Sequence, residues 1–269
     1  MTDLGTHFRE LHHGSRPLIV PNPWDLGSAV IFERLGFEAL ATTSAGMAFG
    51  LGKSDGQVSP EETLEHCSSL AAATTVPISG DLERGFGDSP EEVADAVRRA
   101  ALTGLAGCSI EDYTGRSDEP MYPRNLAVER IAAAIEAARS LDHDFVVTAR
   151  CDSLLWTEQS LDEVISLLQA YESVGADVLF APGLESLRDI GAVCEAVEAP
   201  VSVGLEMSIK PSIDELSEVG VSRVSVGSLL AQVAYGAAIE PARELLEAGT
   251  LHSAASAIDY YALEGLFTP

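Results

Sequence analysis

Three carboxylates are spaced for shared chemistry. Asp81 and Glu83 follow one short apolar run, and Glu111 follows the next. Carboxylates brought together repel one another unless a cation joins them. Oxygen donors without His or Cys select a hard ion, Mg2+ or Mn2+, that retains several waters. Neither HxH nor HExxH occurs, which argues against the common zinc arrangements. The plainer alternative is that acidic loops are solvated surface; three on neighbouring runs weigh against it. Arg150 closes a further run. Its guanidinium can grip a substrate carboxylate through two N–H groups, or pair with Glu111 or Asp152, or both. Ser44-Ala45-Gly46 offers a hydroxyl and N–H groups to a carboxylate or phosphonate oxygen. Trp24 and Asp25 follow the first run, where Trp24 suits either a wall of the site or a place in the core. Cys151 adjoins Arg150 and is expected to point away from it. His12 and His13 are expected on the surface.

These residues need a scaffold that brings run ends together. Short apolar runs at 17–20, 39–43, 76–80, 107–110, 145–149, 178–180, 201–203 and 223–225 read as eight strands of a buried parallel sheet. Helical signals lie between them. Ser59-Pro60-Glu61-Glu62 and Ser89-Pro90-Glu91-Glu92 each place an N-cap serine, a proline at the first turn and early acids. Residues 125–140 and 160–174 are amphipathic. Strand and helix alternating eight times predict an α/β fold, a (β/α)8 TIM-type barrel, as one domain over residues 1–269. Its active site belongs at the carboxyl ends of the strands. Residues 250–269 form an extension, with helices expected at 253–261 and 262–266, long enough to cover a partner subunit.

Composition limits the partners. The 269 residues carry 42 acids and 16 bases, a net charge of −26. Such a chain is repelled by nucleic-acid phosphates and anionic membranes. No run approaches the roughly 20 apolar residues of a membrane span, and the charged start lacks a signal core, so a cytoplasmic protein is expected. Cys67, Cys108, Cys151 and Cys194 are too evenly spread for a zinc knuckle or disulfide scaffold and read as buried thiols. Only Lys53 and Lys210 are lysine; the other 14 bases are arginine. That pattern suits a salt-rich cytoplasm, or an arginine-biased composition with acidic helix faces.

The ordered motifs resemble the isocitrate lyase / phosphoenolpyruvate mutase superfamily, above all its small phosphonomutase-like members. They are Pro21-Asn22-Pro23-Trp24-Asp25-Leu26-Gly27-Ser28-Ala29, Ala41-Thr42-Thr43-Ser44-Ala45-Gly46, Asp81-Leu82-Glu83-Arg84-Gly85-Phe86-Gly87, Ser109-Ile110-Glu111-Asp112, Thr148-Ala149-Arg150-Cys151-Asp152 and Arg223-Val224-Ser225-Val226-Gly227-Ser228. The resemblance implies a Mg2+-dependent barrel that makes or breaks a C–C or P–C bond beside a pyruvate-like enolate. It implies metal binding by Asp81, Glu83 and Glu111, with Asp55 as an outer acid. It implies substrate binding by Ser44, Ala45, Gly46 and Arg150, and homodimers or homotetramers that exchange a C-terminal helix.

Two departures shape the expected function. The second acid of the pair is Glu83, one methylene longer than the family's usual aspartate. The segment after Glu111, residues 112–124, holds no cysteine, histidine or lysine, whereas isocitrate and methylisocitrate lyases carry a KKCGH-type motif there. The expected activity is therefore a lyase that decarboxylates a small 2-oxo carboxylate or splits a 2-hydroxy carboxylate by a retro-aldol step. Tyr113, Asp112 and Glu206 stand as unranked general bases for the second route. The alternatives are a P–C bond enzyme, of phosphoenolpyruvate mutase or phosphonopyruvate hydrolase type, and a barrel that binds a 2-oxo acid without turnover.

Overall fold

In a computed structural model, residues 3–206 and 208–268 are described. Met1, Thr2, Met207 and Pro269, part of the expected single domain, lie outside the described residues. The chain forms β1 (Leu18–Val20), β2 (Leu40–Ala41), β3 (Ile78–Asp81), β4 (Gly107–Glu111), β5 (Val146–Arg150), β6 (Val178–Phe180), β7 (Val201–Gly204) and β8 (Arg223–Ser225). From β2 to β8 each strand lies beside the next, all parallel, and β8 lies beside β1. Between β1 and β2, the Ala41 N–H donates to Pro21 O at 3.2 Å, which brings the ring near closure. The expected TIM-type barrel is what the chain builds.

The helix starts follow the sequence signals. Ser59 with Glu62 and Ser89 with Glu92 form reciprocal capping boxes, each with proline in the first turn. Ser160 with Glu163 and Ser212 with Glu215 repeat the device. The helices Arg124–Arg139 and Leu161–Ser173 fall within a residue of expectation. Strands β4 and β5 run one residue further than expected. Glu111 and Arg150 are thereby paired as the last residues of adjacent strands.

The opening helix, Leu4–Leu11, plugs the amino end of the barrel. Phe8 packs with Leu18, Ala106, Val146 and Val178, residues at the starts of strands. The fit leaves no room for a side chain at Gly5, whose Cβ would sit 1.7 Å from the Asp144 carbonyl oxygen. This plug overturns the surface placement of His12. It is 4% exposed, with Nδ1 2.7 Å from Phe8 O and its ring edge-on to Phe8. His13 is exposed as expected. Cys67, Cys108 and Cys151 are buried, Cys194 is half-buried, and all four are free thiols.

The carboxyl-terminal arm behaves differently. The 20-residue helix Leu229–Ala248 buries only Ala231. Val233, Ile239 and Leu246 on it, and Tyr260 and Tyr261 beyond it, are exposed. Where helices were expected at 253–261 and 262–266, a 3-10 turn at His252–Ser256 precedes a helix at Tyr260–Gly265. Asp259 sets that later start by accepting from the Tyr261 and Ala262 N–H groups. No helix among the described residues is long and apolar enough to cross a membrane.

Candidate active site at the carboxyl ends of the strands

The acidic pair is divided by the backbone. Sequence alternation places Asp81 and Glu83 on one face of a strand. Instead β3 stops at Asp81, and Gly85 N–H returns to Leu82 O at 2.8 Å. Glu83 sits inside that turn at φ +50°, in the left-handed region that side chains disfavour. The turn sends the two acids into different compartments. Asp81 lines a cavity of about 340 Å³ in the barrel mouth. Glu83 and Glu111 line a neighbouring one of about 620 Å³. Ser44, Asp55, Arg150 and Leu155 line both and join them.

The carboxylates still feel one another. Asp81 accepts from the Ser44 N–H at 3.1 Å, and the Ser109 hydroxyl approaches it at 3.5 Å. Burial, then the charges of Asp81 and Asp55, push the Glu83 pKa up to about 7. Burial raises Glu111 well above the usual carboxylate range, and Arg150 opposes that rise. Enclosure of its carboxyl end and the Asp81 charge raise Asp55. Carboxylates held up in this way form a site that a cation would relieve. Among the described residues, no three His, Cys, Asp or Glu side chains gather closely enough to wrap an ion by themselves. The donor set fits a hard ion held by one or two carboxylates and completed by water.

Arg150 is fixed from one side. Its Nε and Nη2 donate to the two oxygens of Asp152 at 2.5 and 2.9 Å, and Glu111 Oε2 lies 3.6 Å from Nε. Burial disfavours the cation, but the Asp152 and Glu111 charges outweigh it, so the guanidinium stays ionised. Asp152 is itself held by its N–H, which donates to Asp112 at 2.7 Å. Asp112 also accepts from Tyr171 at 3.0 Å and lines neither compartment. That geometry removes Asp112 from the candidate bases. Glu206 lines the smaller cavity and Tyr113 the larger, where it stacks on Trp156 at 4.3 Å. Cys151 points away, its Sγ 2.9 Å from Ser153 Oγ.

The Ser44-Ala45-Gly46 cradle is narrower than its sequence suggests. The Ser44 N–H is taken by Asp81, and the Gly46 N–H by Thr43 Oγ1 at 3.2 Å. Ser44 and Ala45 line the smaller cavity; Gly46 is buried behind them. Trp24 and Asp25 line neither compartment. Trp24 packs edge-on to Phe32, and Asp25 caps the helix Leu26–Arg34 by accepting from Ser28 N–H. The segment after Glu111 is pinned down. Arg116 and Tyr122 both bond Asp88, and Tyr122 lies over Arg130.

Sequence reasoning missed two features. Asn22 ties the mouth together: its side chain donates to Thr42 O and accepts from the Val226 N–H, both at 2.9 Å. The lumen is lined by Ser79, Ser109, Thr148, Ser202 and Ser225, with Arg223 among them. The available signal was polarity at every second strand position, as in Ser79/Asp81, Ser109/Glu111 and Thr148/Arg150.

Residues 8–246 match the family model described as phosphoenolpyruvate phosphomutase. The chain is 30% identical over 205 residues to the 2-methylisocitrate lyase of Escherichia coli K12, covering 73% of this chain and 68% of the relative. A crystal structure of a Burkholderia cenocepacia J2315 protein, provisionally assigned as a lyase/mutase, superposes with a TM-score of 0.95. It is 46% identical, with 98% of this chain and 95% of that one covered. Oxaloacetate acetylhydrolase in complex with its product oxalate superposes with a TM-score of 0.87 at 26% identity, covering 98% and 93%.

Proposed function

The chain belongs to the phosphoenolpyruvate phosphomutase family, within the PEP mutase/isocitrate lyase superfamily, and from that premise we propose that it is a divalent-metal-dependent lyase. Its reaction breaks a C–C bond of a small 2-oxo or 2-hydroxy carboxylate. The observation that carries this reading is the meeting of the two compartments at Arg150. Crowded carboxylates lie to one side of it, and its uncommitted N–H groups remain for a substrate carboxylate.

Asp81, Glu83 and Glu111, partly through water, would hold Mg2+ or Mn2+, with Asp55 behind them. Such an ion, when bound, supplies the positive charge that draws electrons from a 2-oxo group and its carboxylate. Arg150 grips the substrate carboxylate, and Asp152 stops the guanidinium from swinging. The Ser44 hydroxyl and Ala45 N–H meet the oxygen on which negative charge gathers as the bond breaks. Glu206 or Tyr113 takes the hydroxyl proton on a retro-aldol route; decarboxylation needs neither. Two other arginines near the mouth are committed: Arg84 donates to Thr114 O at 2.9 Å and Arg116 to Asp88 at 3.0 Å. Apart from Arg223 at the floor of the smaller cavity, a phosphonate would meet few free cations, which favours carbon–carbon over P–C chemistry. The exposed apolar residues of the arm fit a second copy of this chain, as a homodimer or homotetramer.

The test is incubation with oxaloacetate, 2-methylisocitrate and phosphonopyruvate, each with and without Mg2+, following pyruvate and oxalate release and thermal stability. Metal-dependent product from a carbon substrate supports the reading. Pyruvate from phosphonopyruvate alone replaces it with the P–C reading. Metal-dependent stabilisation without product from any of the three replaces it with a binding barrel that performs no turnover.

A further inference from the structure

We propose that the floor of the smaller cavity, at Arg223, is a binding site for a small monovalent anion, a halide or a carboxylate group. Arg223 opens β8 and is 5% exposed. Its Nη1 donates to Thr148 Oγ1 at a long 3.3 Å, and its Nε is buried with no partner. No carboxylate among the described residues pairs with it, in a chain with 26 more acids than bases. Among the described residues, Arg150 has Asp152, Arg130 has the carbonyls of Gly87 and Asp88, and Arg84, whose Nε is also unpartnered, has the Thr114 carbonyl and Asp88 at 4.0 Å. A buried, uncompensated charge is costly, so an arginine kept there points to a counter-charge from outside the chain.

The surroundings suit an anion. Ser79, Ser202 and Ser225 line the cavity beside Arg223, and their hydroxyls make no hydrogen bond to described protein groups. Hydroxyls and a guanidinium are donors, and together they can surround an acceptor-only ion. Beneath the guanidinium lie the Phe8 ring, at 5.7 Å, and His12, held neutral by burial. The Phe8 ring gives the guanidinium a cation–π contact but no opposite charge. The site opens upward to the compartment of Ser44 and Arg150, so both a free ion and one end of a carboxylate ligand can reach it.

The test compares thermal unfolding in sodium bromide and sodium gluconate at equal ionic strength without divalent metal. Equal ionic strength cancels screening of the −26 surface. A site filled to ten times its dissociation constant raises the melting temperature by about 3 °C in bromide. Gluconate is too bulky for the floor, and the shift is expected to vanish in Arg223→Gln. Because that variant risks misfolding, wild-type crystals soaked in bromide supply the second arm: an anomalous peak against the Arg223 guanidinium is expected. Its displacement by oxaloacetate assigns the site to a ligand carboxylate; its persistence assigns it to a free ion. Superimposable bromide and gluconate curves with no peak at Arg223 overturn the proposal. Neither readout involves turnover, so the result stands apart from the fate of the lyase reading.

Discussion

The β3–β5 side of the mouth and the β7–β8 side share one strand geometry and carry opposite chemistry. On the first, Asp81, Glu83, Glu111, Arg150 and Asp152 interlock, and the protonation of Glu83 and Glu111 depends on their neighbours. On the second, Ser202, Gly204 and Ser225 present hydroxyls or bare backbone, with Glu206 past the end of β7 and Arg223 below them. On the proposed function, the charge at the strand ends is the reaction centre, and the hydroxyls in the lumen give room and donors. Substitutions on the first side are therefore expected to act on chemistry, and those on the second on ligand fit or stability.

Asp81→Asn tests the acidic side most severely. It removes the charge that raises both Asp55 and Glu83 and that faces the smaller cavity. The loss of kcat/KM is expected at about 100- to 1,000-fold, the scale for removing one preorganised electrostatic group. Mg2+-dependent thermal stabilisation is expected to disappear with it. Activity within tenfold of wild type, with the Mg2+ shift intact, would show that the acidic side is not the reaction centre.

Arg150→Lys is the next largest. Lysine keeps the charge and loses the planar fork that holds both oxygens of Asp152. A fall in kcat/KM of about tenfold or more, carried mainly by KM, is expected from the loss of a bidentate contact. An unchanged KM with a lower kcat would move Arg150 from binding to the chemical step. Ser202→Ala, on the opposite side, removes a hydroxyl with no described protein partner. Its kcat/KM is expected to stay within about threefold of wild type; a loss as large as that of Arg150→Lys would erase the distinction between the sides.

That distinction was half legible in the sequence. The barrel was readable because each strand is a short apolar run and each Ser-x-x-Glu supplies its own helix start. Arg150 and Glu111 were readable as the polar residues that end such runs. The separation of Asp81 from Glu83 was not, because it depends on a left-handed turn at a residue that is not glycine. From the sequence, Arg223 is only the first residue of a short strand. Only the plug formed by Phe8, remote in sequence, turns that position into an interior. The same plug buries His12, which its polar neighbourhood, His12-His13-Gly14-Ser15, marks as surface.

His12 therefore offers the finest test of the floor. Burial, and then the Arg223 charge, push its pKa down to about 3, from an ordinary value near 6.5. Its Nε2 is buried without a partner, so a proton placed there would gain no hydrogen bond. Between pH 6.5 and 3 the unfolded chain takes up a proton that the folded ring refuses. Stability from this residue is thus present in full above pH 6.5 and is lost as the pH falls towards 3. At pH 4.5 the loss amounts to about 2–3 kcal/mol. In His12→Gln the titration is gone. The gap in melting temperature between pH 7 and pH 4.5 is expected to shrink by about 5 °C relative to wild type. Equal gaps in the two proteins would mean that the ring protonates where it stands. The floor would then carry a second positive charge beside Arg223, and the picture of a floor where Arg223 is the cation and His12 a neutral ring would fail.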